Sequence, residues 1–180
     1  MKTDKDISRF LSLVLRHEPG KIGIVLDNQG WVAIDTLLSA LPFPLERPAL
    51  EKLVRESDKQ RFAISSDGAM IRANQGHSVS VDLGLAASDP PEVLYHGTVE
   101  KFLPSILAEG LVKGSRHHVH LSANIETAQK VGDRRGSAII LVVAAQQMVA
   151  DGHRFFVSDN GVWLTEHVPA PYLTRLPPSA

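Results

Sequence analysis

The first part of the chain carries apolar residues at helical spacing. They fall at positions i, i+3, i+4, i+7 and i+8 and form one stripe: Ile7, Phe10, Leu11, Val14 and Leu15. This stripe predicts an amphipathic helix, and the Pro19-Gly20 dipeptide ends it. Two shorter helices are predicted over residues 34–40 and 48–56. The second of these begins with a proline in its first turn, where a backbone N–H would have no acceptor within the helix.

Two short β-type segments follow the third helix. Residues 61–64 and 69–72 are separated by Ser65-Ser66-Asp67-Gly68, which predicts a hairpin with a short loop. Three helices followed by a hairpin are the element order of a winged-helix module, although many small α+β units share it. The order alone is suggestive of a winged-helix lobe in the N-terminal half and does not establish one.

The residues at 86–91, Ala-Ala-Ser-Asp-Pro-Pro, are small, polar and rich in proline, and we place a linker there. This predicts two domains, residues 1–88 and 89–180. The second half then alternates strands at 93–95, 119–122, 138–143, 155–157 and 162–164 with helices at 102–109 and 125–131. Asn160-Gly161 is the strongest hairpin signal in the chain. The expected fold class is α+β, with a mostly antiparallel sheet in the second half.

Composition narrows the possible chemistry. The chain has 180 residues, is 43% hydrophobic and carries a formal net charge of −1, so any contact with nucleic acid must be local. The absence of cysteine excludes disulfides, thiolate catalysis and cysteine-ligated zinc. No apolar run approaches the length of a membrane span, and the N-terminal residues do not resemble a signal peptide. We expect a cytoplasmic protein.

Two basic motifs lie in the first half of the chain. Arg16 and His17 leave the end of the first helix, where a basic residue also interacts favourably with the helix dipole. Lys59-Gln60-Arg61-Phe62 begins the hairpin, where an exposed edge-strand charge is an equally simple explanation. Taken singly, each motif favours the structural explanation.

Two further motifs lie in the second half. Tyr95-His96-Gly97-Thr98 is predicted to leave a strand, where the glycine lets a ligand approach closely and the motif offers peptide groups and a hydroxyl. A plain turn is the alternative. In the 116–122 motif, Arg-His-His-Val-His-Leu-Ser, alternation places His118 and His120 on one face of a strand. Zinc is not predicted, because His117 points away and neither cysteine nor an HExxH helix is present.

These motifs occur in one order with two more, and the set spans nearly the whole chain: Arg16-His17-Glu18-Pro19, Gln60-Arg61-Phe62, Arg-Ala-Asn-Gln-Gly-His-Ser at 72–78, Tyr95-His96-Gly97-Thr98, Arg116-x-x-Val119-His120-Leu121-Ser122 and Gly161-Val162-Trp163-Leu164-Thr165. Together they resemble the RNA (tRNA) 2′-phosphotransferase family. No single motif is diagnostic, whereas the ordered set is. The resemblance implies an N-terminal winged-helix lobe that helps to hold RNA and a C-terminal lobe, similar to ADP-ribosyltransferases, that binds NAD⁺.

The resemblance also implies the catalytic residues, which are Arg16, His17, Arg61 and Arg116. For the last of them, the alternatives are Arg134 and Arg135. Arg116 is preferred because it keeps the Arg-x-x-Val-His-Leu spacing. Three other residues, all in the 72–78 motif, either contact RNA or finish the hairpin edge: Arg72, Gln75 and His77.

The implied cofactor-binding residues are His96, Gly97, Thr98, His120 and Ser122. Many ADP-ribosyltransferases have a glutamate on a later strand, and its counterpart in this chain is Val162. His120 stands in the place of their tyrosine. The resemblance implies no metal.

The implied reaction has two steps and consumes NAD⁺. An internal RNA 2′-phosphate, which carries nearly two negative charges at neutral pH, attacks the anomeric carbon of the nicotinamide ribose, expels nicotinamide and gives an ADP-ribosylated RNA 2′-phosphate. The ribose 2″-hydroxyl then attacks phosphorus, which releases 2′-hydroxyl RNA and ADP-ribose 1″,2″-cyclic phosphate. Arginines suit this substrate because they bind oxyanions in bidentate fashion and stay protonated. His17 is the expected proton carrier or hydrogen-bond donor.

The expected partners are RNA with an internal 2′-phosphate and NAD⁺, with no membrane and no metal, and the chain is expected to act as a monomer. A one-step ADP-ribosyltransferase, acting on nucleic-acid phosphate or on protein, is the first alternative. A winged-helix DNA-binding regulator is the second. The third helix weakens that alternative, because Glu51 and Glu56 offset Lys52 and Arg55 on the surface that would meet phosphates.

Overall fold

The computed structural model describes residues 2–57 and 59–177. Contacts divide the chain into two compact units, Met1–Gly84 and Leu85–Ala180, here called the N-unit and the C-unit. Each has its own apolar core. All strand pairs in the described residues are antiparallel, which confirms the α+β class with a mostly antiparallel sheet. Among those residues, no helix is long and apolar enough to cross a bilayer.

The N-unit combines helices with a small three-stranded sheet. Its helices are α1 (Asp4–Arg16), α2 (Ile34–Ala40) and α3 (Arg47–Arg55), with a 3-10 turn at Pro19–Ile22. Its strands are β1 (Val32–Ala33), β2 (Phe62–Ile64) and β3 (Met70–Ala73), in the spatial order β1-β3-β2. The predicted helices and hairpin are present. The sequence does not predict β1, because two residues carry no periodicity.

The apolar stripe of α1 lies in the core of the N-unit. Leu11, Val14 and Leu15 are fully buried and cluster with apolar residues of the other helices and of the sheet. The helix ends at Arg16, since Pro19 cannot continue it. Burial of the stripe therefore fixes the position at which the chain leaves α1.

The C-unit is built from short strands and helices. Its strands are β4 (Leu94–Val99), β5 (Leu111–Val112), β6 (Val119–Leu121), β7 (Ala138–Val143), β8 (Phe155–Val157), β9 (Trp163–Thr165), β10 (His167–Val168) and β11 (Leu173–Arg175). Its helices are α4 (Leu103–Glu109), α5 (Ile125–Gly132) and α6 (Ala145–Ala150), with 3-10 turns at Glu100–Phe102 and Ala170–Tyr172. The sheets have the orders β11-β7-β4, β6-β9-β8 and β10-β5. An antiparallel bridge between Tyr95 and Ser122 joins the first two sheets.

The structure corrects one prediction in the C-unit. The sequence places His96, Gly97 and Thr98 in a segment that leaves the strand after Tyr95, and this is wrong, because β4 continues to Val99. The cause is β7, which pairs in register along the whole of β4 and supplies ladder hydrogen bonds that local propensity does not reveal. The pattern also gives no sign of four short elements, β5, β10, β11 and α6.

Gly97 has a packing role that the sequence does not reveal. Helix α5 lies so close to β4 that a Cβ on Gly97 would be 1.8 Å from the carbonyl oxygen of Ala128 and 2.9 Å from the nitrogen of Gly132. The sequence predicts that a ligand approaches this glycine closely. In the structure, the group that packs against its Cα is helix α5. By strand alternation, the side chains of His96 and Thr98 point to the opposite face of β4.

Replacing Gly97 by alanine should destabilise the protein. The atoms that meet the new Cβ belong to the α5 backbone, so the helix itself must shift. We expect the free energy of unfolding to fall by at least about 2 kcal/mol, measured by chemical denaturation. Gly20→Ala is the matched control, because a Cβ there meets nothing within 4 Å. Equal stability of the two variants would contradict the packing role.

Candidate active site

The end of α1 presents two of the predicted catalytic residues. Arg16 is the last residue of the helix and is half-buried, while His17 caps the helix and is exposed. The N–H groups of His17 and Glu18 both donate to the carbonyl oxygen of Leu13, each at 2.9 Å. These bonds close the final turn and fix the backbone from which the two side chains extend.

Arg61 lies beside them, directly before β2. Its Nη1 donates to the hydroxyl of Ser8 on α1 at 3.2 Å, and its carbonyl oxygen accepts from Nη2 of Arg16 at 3.4 Å. The N-unit thus brings Arg16 and Arg61 together beside α1, and His17 follows Arg16 at the helix end. Among the described residues, no carboxylate lies within ion-pair distance of Arg61.

A buried asparagine stabilises the backbone next to Arg61. Asn74 donates its side-chain Nδ2–H to the carbonyl oxygen of Gln60 at 2.6 Å and its backbone N–H to the carbonyl oxygen of Arg61 at 2.9 Å. Gln60 has a φ of 36°, in the left-handed region that residues other than glycine rarely adopt. Asn74 lies inside the 72–78 motif but is not among the predicted site residues. Only its tertiary hydrogen bonds reveal its role.

The other residues of the 72–78 motif have different surroundings. The guanidinium carbon of Arg72 lies 4.6 Å from the ring centroid of Trp31, a cation–π contact. His77 is buried, with 1% of its surface exposed, and Gln75 is half-buried. A contact between any of these side chains and RNA stays a prediction.

In the C-unit, β4 and β6 share a single bridged pair of residues. Tyr95 and Ser122 exchange both backbone hydrogen bonds, each 2.8 Å long. Residues two apart on a strand direct their peptide groups to the same edge, so the N–H and C=O of Gly97 also face the β6 side. Within the described part of the chain, no backbone hydrogen bond joins Gly97 to β6. Its peptide groups can therefore pair with a ligand at this edge.

His96 reaches across the same edge with its side chain. Its Nδ1 lies 3.2 Å from the carbonyl oxygen of His120. A carbonyl oxygen only accepts, so Nδ1 carries the proton and Nε2 is the acceptor of the neutral ring. Burial lowers the pKa of His96, the hydrogen bond to His120 partly opposes that effect, and the positive charge of Arg135 lowers the pKa further. The neutral ring therefore predominates at neutral pH.

Arg116 is bonded to the second histidine of this group. Its Nη1 donates to Nδ1 of His120 at 2.9 Å, so neutral His120 carries its proton on Nε2. Loss of solvent around the guanidinium, and then the charge of Arg135, lower the pKa of Arg116, which as an arginine still stays protonated. Arg135 in turn lies 5.7 Å from the ring centroid of Phe102. The direct bond to His120 favours Arg116 as the fourth catalytic cation, and that assignment stays a prediction.

The remaining predicted positions lie near the same strands. Thr98 is buried on β4, and Ser122 directly follows β6. Extending the β6–β9 register places Val162 opposite Ser122, so an apolar side chain occupies the position compared with a glutamate. In the described ranges, no group of three or more histidine, aspartate or glutamate side chains is arranged to hold a metal ion.

Guanidinium groups and hydrogen-bond donors are typical of sites that bind and transfer phosphoryl groups. Comparison with known proteins identifies the family. The sequence profile of "RNA 2′-phosphotransferase, Tpt1/KptA family" matches residues 2–167. The chain therefore belongs to the RNA 2′-phosphotransferase family, which confirms the resemblance seen in its motifs.

Several named relatives are similar over nearly the whole chain. A probable RNA 2′-phosphotransferase of Rhodopirellula baltica is 53% identical over 181 residues, which cover 97% of this chain and 98% of the relative. Proteins of the same name from Agrobacterium fabrum and Trichormus variabilis are each 55% identical over 170 residues. These two alignments cover 93% of this chain and 91% and 93% of the relatives.

The protonation of His96 can be measured by ¹⁵N NMR titration. We expect a pKa below its ordinary value of 6.5, with the proton of the neutral ring on Nδ1. In the unfolded chain the ring takes up a proton near pH 6.5, whereas burial resists this in the folded protein. The free energy of unfolding should therefore fall as the pH drops below 6.5, and fall less in His96→Gln. A measured pKa at or above 6.5 would show that burial does not dominate.

Proposed function

We propose that this chain removes an internal 2′-phosphate from RNA and transfers it to the ADP-ribose of NAD⁺, with release of nicotinamide. The observation that carries the proposal is the placement of Arg16 and Arg61 side by side along α1, with His17 next to Arg16 at the helix end, in a chain of the RNA 2′-phosphotransferase family. The expected products are 2′-hydroxyl RNA and ADP-ribose 1″,2″-cyclic phosphate.

In this proposal the N-unit holds the RNA and its 2′-phosphate. Arg61 donates to the neutral hydroxyl of Ser8 and is not matched by a described carboxylate, so its guanidinium suits a doubly charged phosphate. Arg16 is bonded to the backbone of Arg61, which keeps the two cationic side chains close. Helices α1 to α3 and the sheet β1-β3-β2 support our assignment of this unit as a winged-helix, RNA-binding lobe.

The C-unit is proposed to hold NAD⁺, as an ADP-ribosyltransferase-like lobe. The N–H and C=O of Gly97 at the edge of β4 match the acceptor and donor of a carboxamide, the group that nicotinamide carries. His96 is fixed with Nε2 as an acceptor, which fits a ribose hydroxyl. His120 and Ser122 lie on the neighbouring strand and its end. NAD⁺ supplies a ribose carbon that already bears a leaving group.

The first step requires placement more than a base. The RNA 2′-phosphate is already charged and nucleophilic at neutral pH, so no side chain has to remove a proton from it. This agrees with Val162, an apolar residue, at the position that many ADP-ribosyltransferases fill with glutamate. The arginines orient the phosphate oxygens while the C-unit orients the ribose.

The second step moves a proton and develops charge. The ribose 2″-hydroxyl loses a proton as it attacks phosphorus, and the RNA 2′-oxygen gains one as it leaves. We assign this proton transfer to His17. Stabilisation of the phosphoryl oxygens is assigned to Arg16, Arg61 and Arg116. The cytoplasmic location and the monomeric state stay predictions.

The proposal is tested with an oligonucleotide that carries one internal 2′-phosphate, incubated with and without NAD⁺. We expect 2′-hydroxyl RNA and the cyclic phosphate only when NAD⁺ is present. Arg61→Ala and His17→Ala should each lower turnover by roughly a hundredfold or more, because each removes a donor that meets the phosphate. Product identification by mass spectrometry and single-turnover kinetics measure both effects.

The matched control for these variants is Arg9→Ala, since Arg9 is exposed on the same helix. It should retain wild-type turnover. Dephosphorylation without NAD⁺ would refute the proposal, and a stable ADP-ribosyl adduct as the final product would favour the one-step alternative. An unchanged rate in Arg61→Ala or in His17→Ala would remove that residue from the catalytic set.

A second pair of variants separates the candidates for the fourth cation. Arg116→Ala should reduce kcat by roughly a hundredfold, because it also leaves Nδ1 of His120 without its arginine donor. Arg135→Ala should have a smaller effect on kcat, since its described contact is with the ring of Phe102. Arg154→Ala, an exposed arginine at the start of β8, serves as control. The opposite ranking would transfer the assignment to Arg135.

A further inference from the structure

The 72–78 motif returns to the end of α1 through its last residue. The backbone N–H groups of Ser78 and Val79 donate to the carbonyl oxygen of Arg16, at 2.9 and 3.3 Å. The hydroxyl of Ser78 also lies 2.9 Å from Nδ1 of His17. These two residues are 61 positions apart in sequence, so the contact belongs to the folded N-unit and not to local chain geometry.

The contact with Ser78 restricts the orientation of the His17 ring. His17 lies outside the last helical turn, with φ −127° and ψ −46°, and it is exposed. The χ2 torsion of a histidine is broad and roughly two-fold, so the backbone alone does not decide which ring nitrogen faces a substrate. The helix end and the Ser78 backbone fix the Cα of His17, and the Ser78 hydroxyl meets the ring.

We propose that Ser78 is a positioning residue, which orients the imidazole of His17 through Nδ1 so that Nε2 faces the reacting RNA 2′-phosphate. This inference rests on the function proposed above, in which His17 transfers the proton. It gives the 72–78 motif a role in the reaction that requires no contact between Ser78 and RNA or NAD⁺.

A serine hydroxyl is suited to this role because it both donates and accepts. It can accept from Nδ1–H when the ring is protonated, and it can donate to Nδ1 when the proton is on Nε2. The ring can therefore keep one orientation through both halves of a proton transfer. A carboxylate in the same place would only accept and would favour the charged ring.

The test compares Ser78→Ala with Ser78→Thr in the full chain. Ser78→Ala should lower kcat by about tenfold to a hundredfold, as expected for a misplaced catalytic group, while KM for NAD⁺ and for the oligonucleotide changes less than twofold. Ser78→Thr keeps the hydroxyl and should restore most of kcat. Ser80→Ala, an exposed serine of the same segment, is the control and should match the wild type.

A second readout does not depend on turnover. Long-range ¹H–¹⁵N NMR reports the tautomer and environment of the His17 ring, and both should change in Ser78→Ala and stay close to wild type in Ser78→Thr. Wild-type kcat or unchanged His17 ring signals in Ser78→Ala would overturn the inference. If the wild-type chain itself lacked phosphotransferase activity, the proposed function and the catalytic role of Ser78 would fail together. The ring signals would still show whether Ser78 orients His17.

Discussion

The carbonyl oxygen of Arg61 joins the two segments that carry the proposed catalytic residues of the N-unit. It accepts one hydrogen bond from the guanidinium of Arg16 and another from the backbone N–H of Asn74. Two arginines repel each other, so their close placement needs a neutral acceptor between them or an anion that binds both. Among the described contacts, Arg16 donates to the carbonyl oxygen of Arg61, and Arg61 donates to the hydroxyl of Ser8. The proposed RNA phosphate would bind both guanidinium groups.

Gly97 has two structural roles in the C-unit. The backbone of α5 packs against the Cα of Gly97 and leaves no room for a side chain there. Its peptide groups face the edge at which β4 and β6 stop pairing. The same residue thus lets a helix pack on the sheet and leaves hydrogen-bonding groups at the strand edge. The ring of His96 hydrogen-bonds to the carbonyl oxygen of His120 across that edge. This side-chain bond links the two strands where no backbone hydrogen bond is described.

The sequence predicts what depends on local pattern and misses what depends on distant pairing. The stripe of α1 is visible because helical spacing and core burial agree, as Leu11 and Leu15 show. The His96-Gly97-Thr98 segment is misplaced because its own residues do not favour a strand, whereas β7 pairs along its whole length. The motif resemblance supplies Arg16 and Arg61 as candidates without their surroundings. Asn74 and Ser78 lie in a polar segment, and the local sequence does not indicate that they contact predicted site residues or the backbone beside them.

In the proposed reaction the substrate brings its own charge, which fits the neutral hydroxyl contacts that the structure shows for Arg61 and His17. The RNA 2′-phosphate needs no base to become a nucleophile, so the chain can place Val162 where a glutamate would otherwise activate or stabilise the sugar. What such a site must supply is orientation, because arginines and a histidine act only at the correct distance and angle. Peptide carbonyls and hydroxyls provide that orientation: Ser8 for Arg61, and Ser78 for His17. Ser8 and Ser78 are neutral. Unlike a carboxylate, they therefore do not compete with the proposed phosphate for the positive charge of Arg61 and His17.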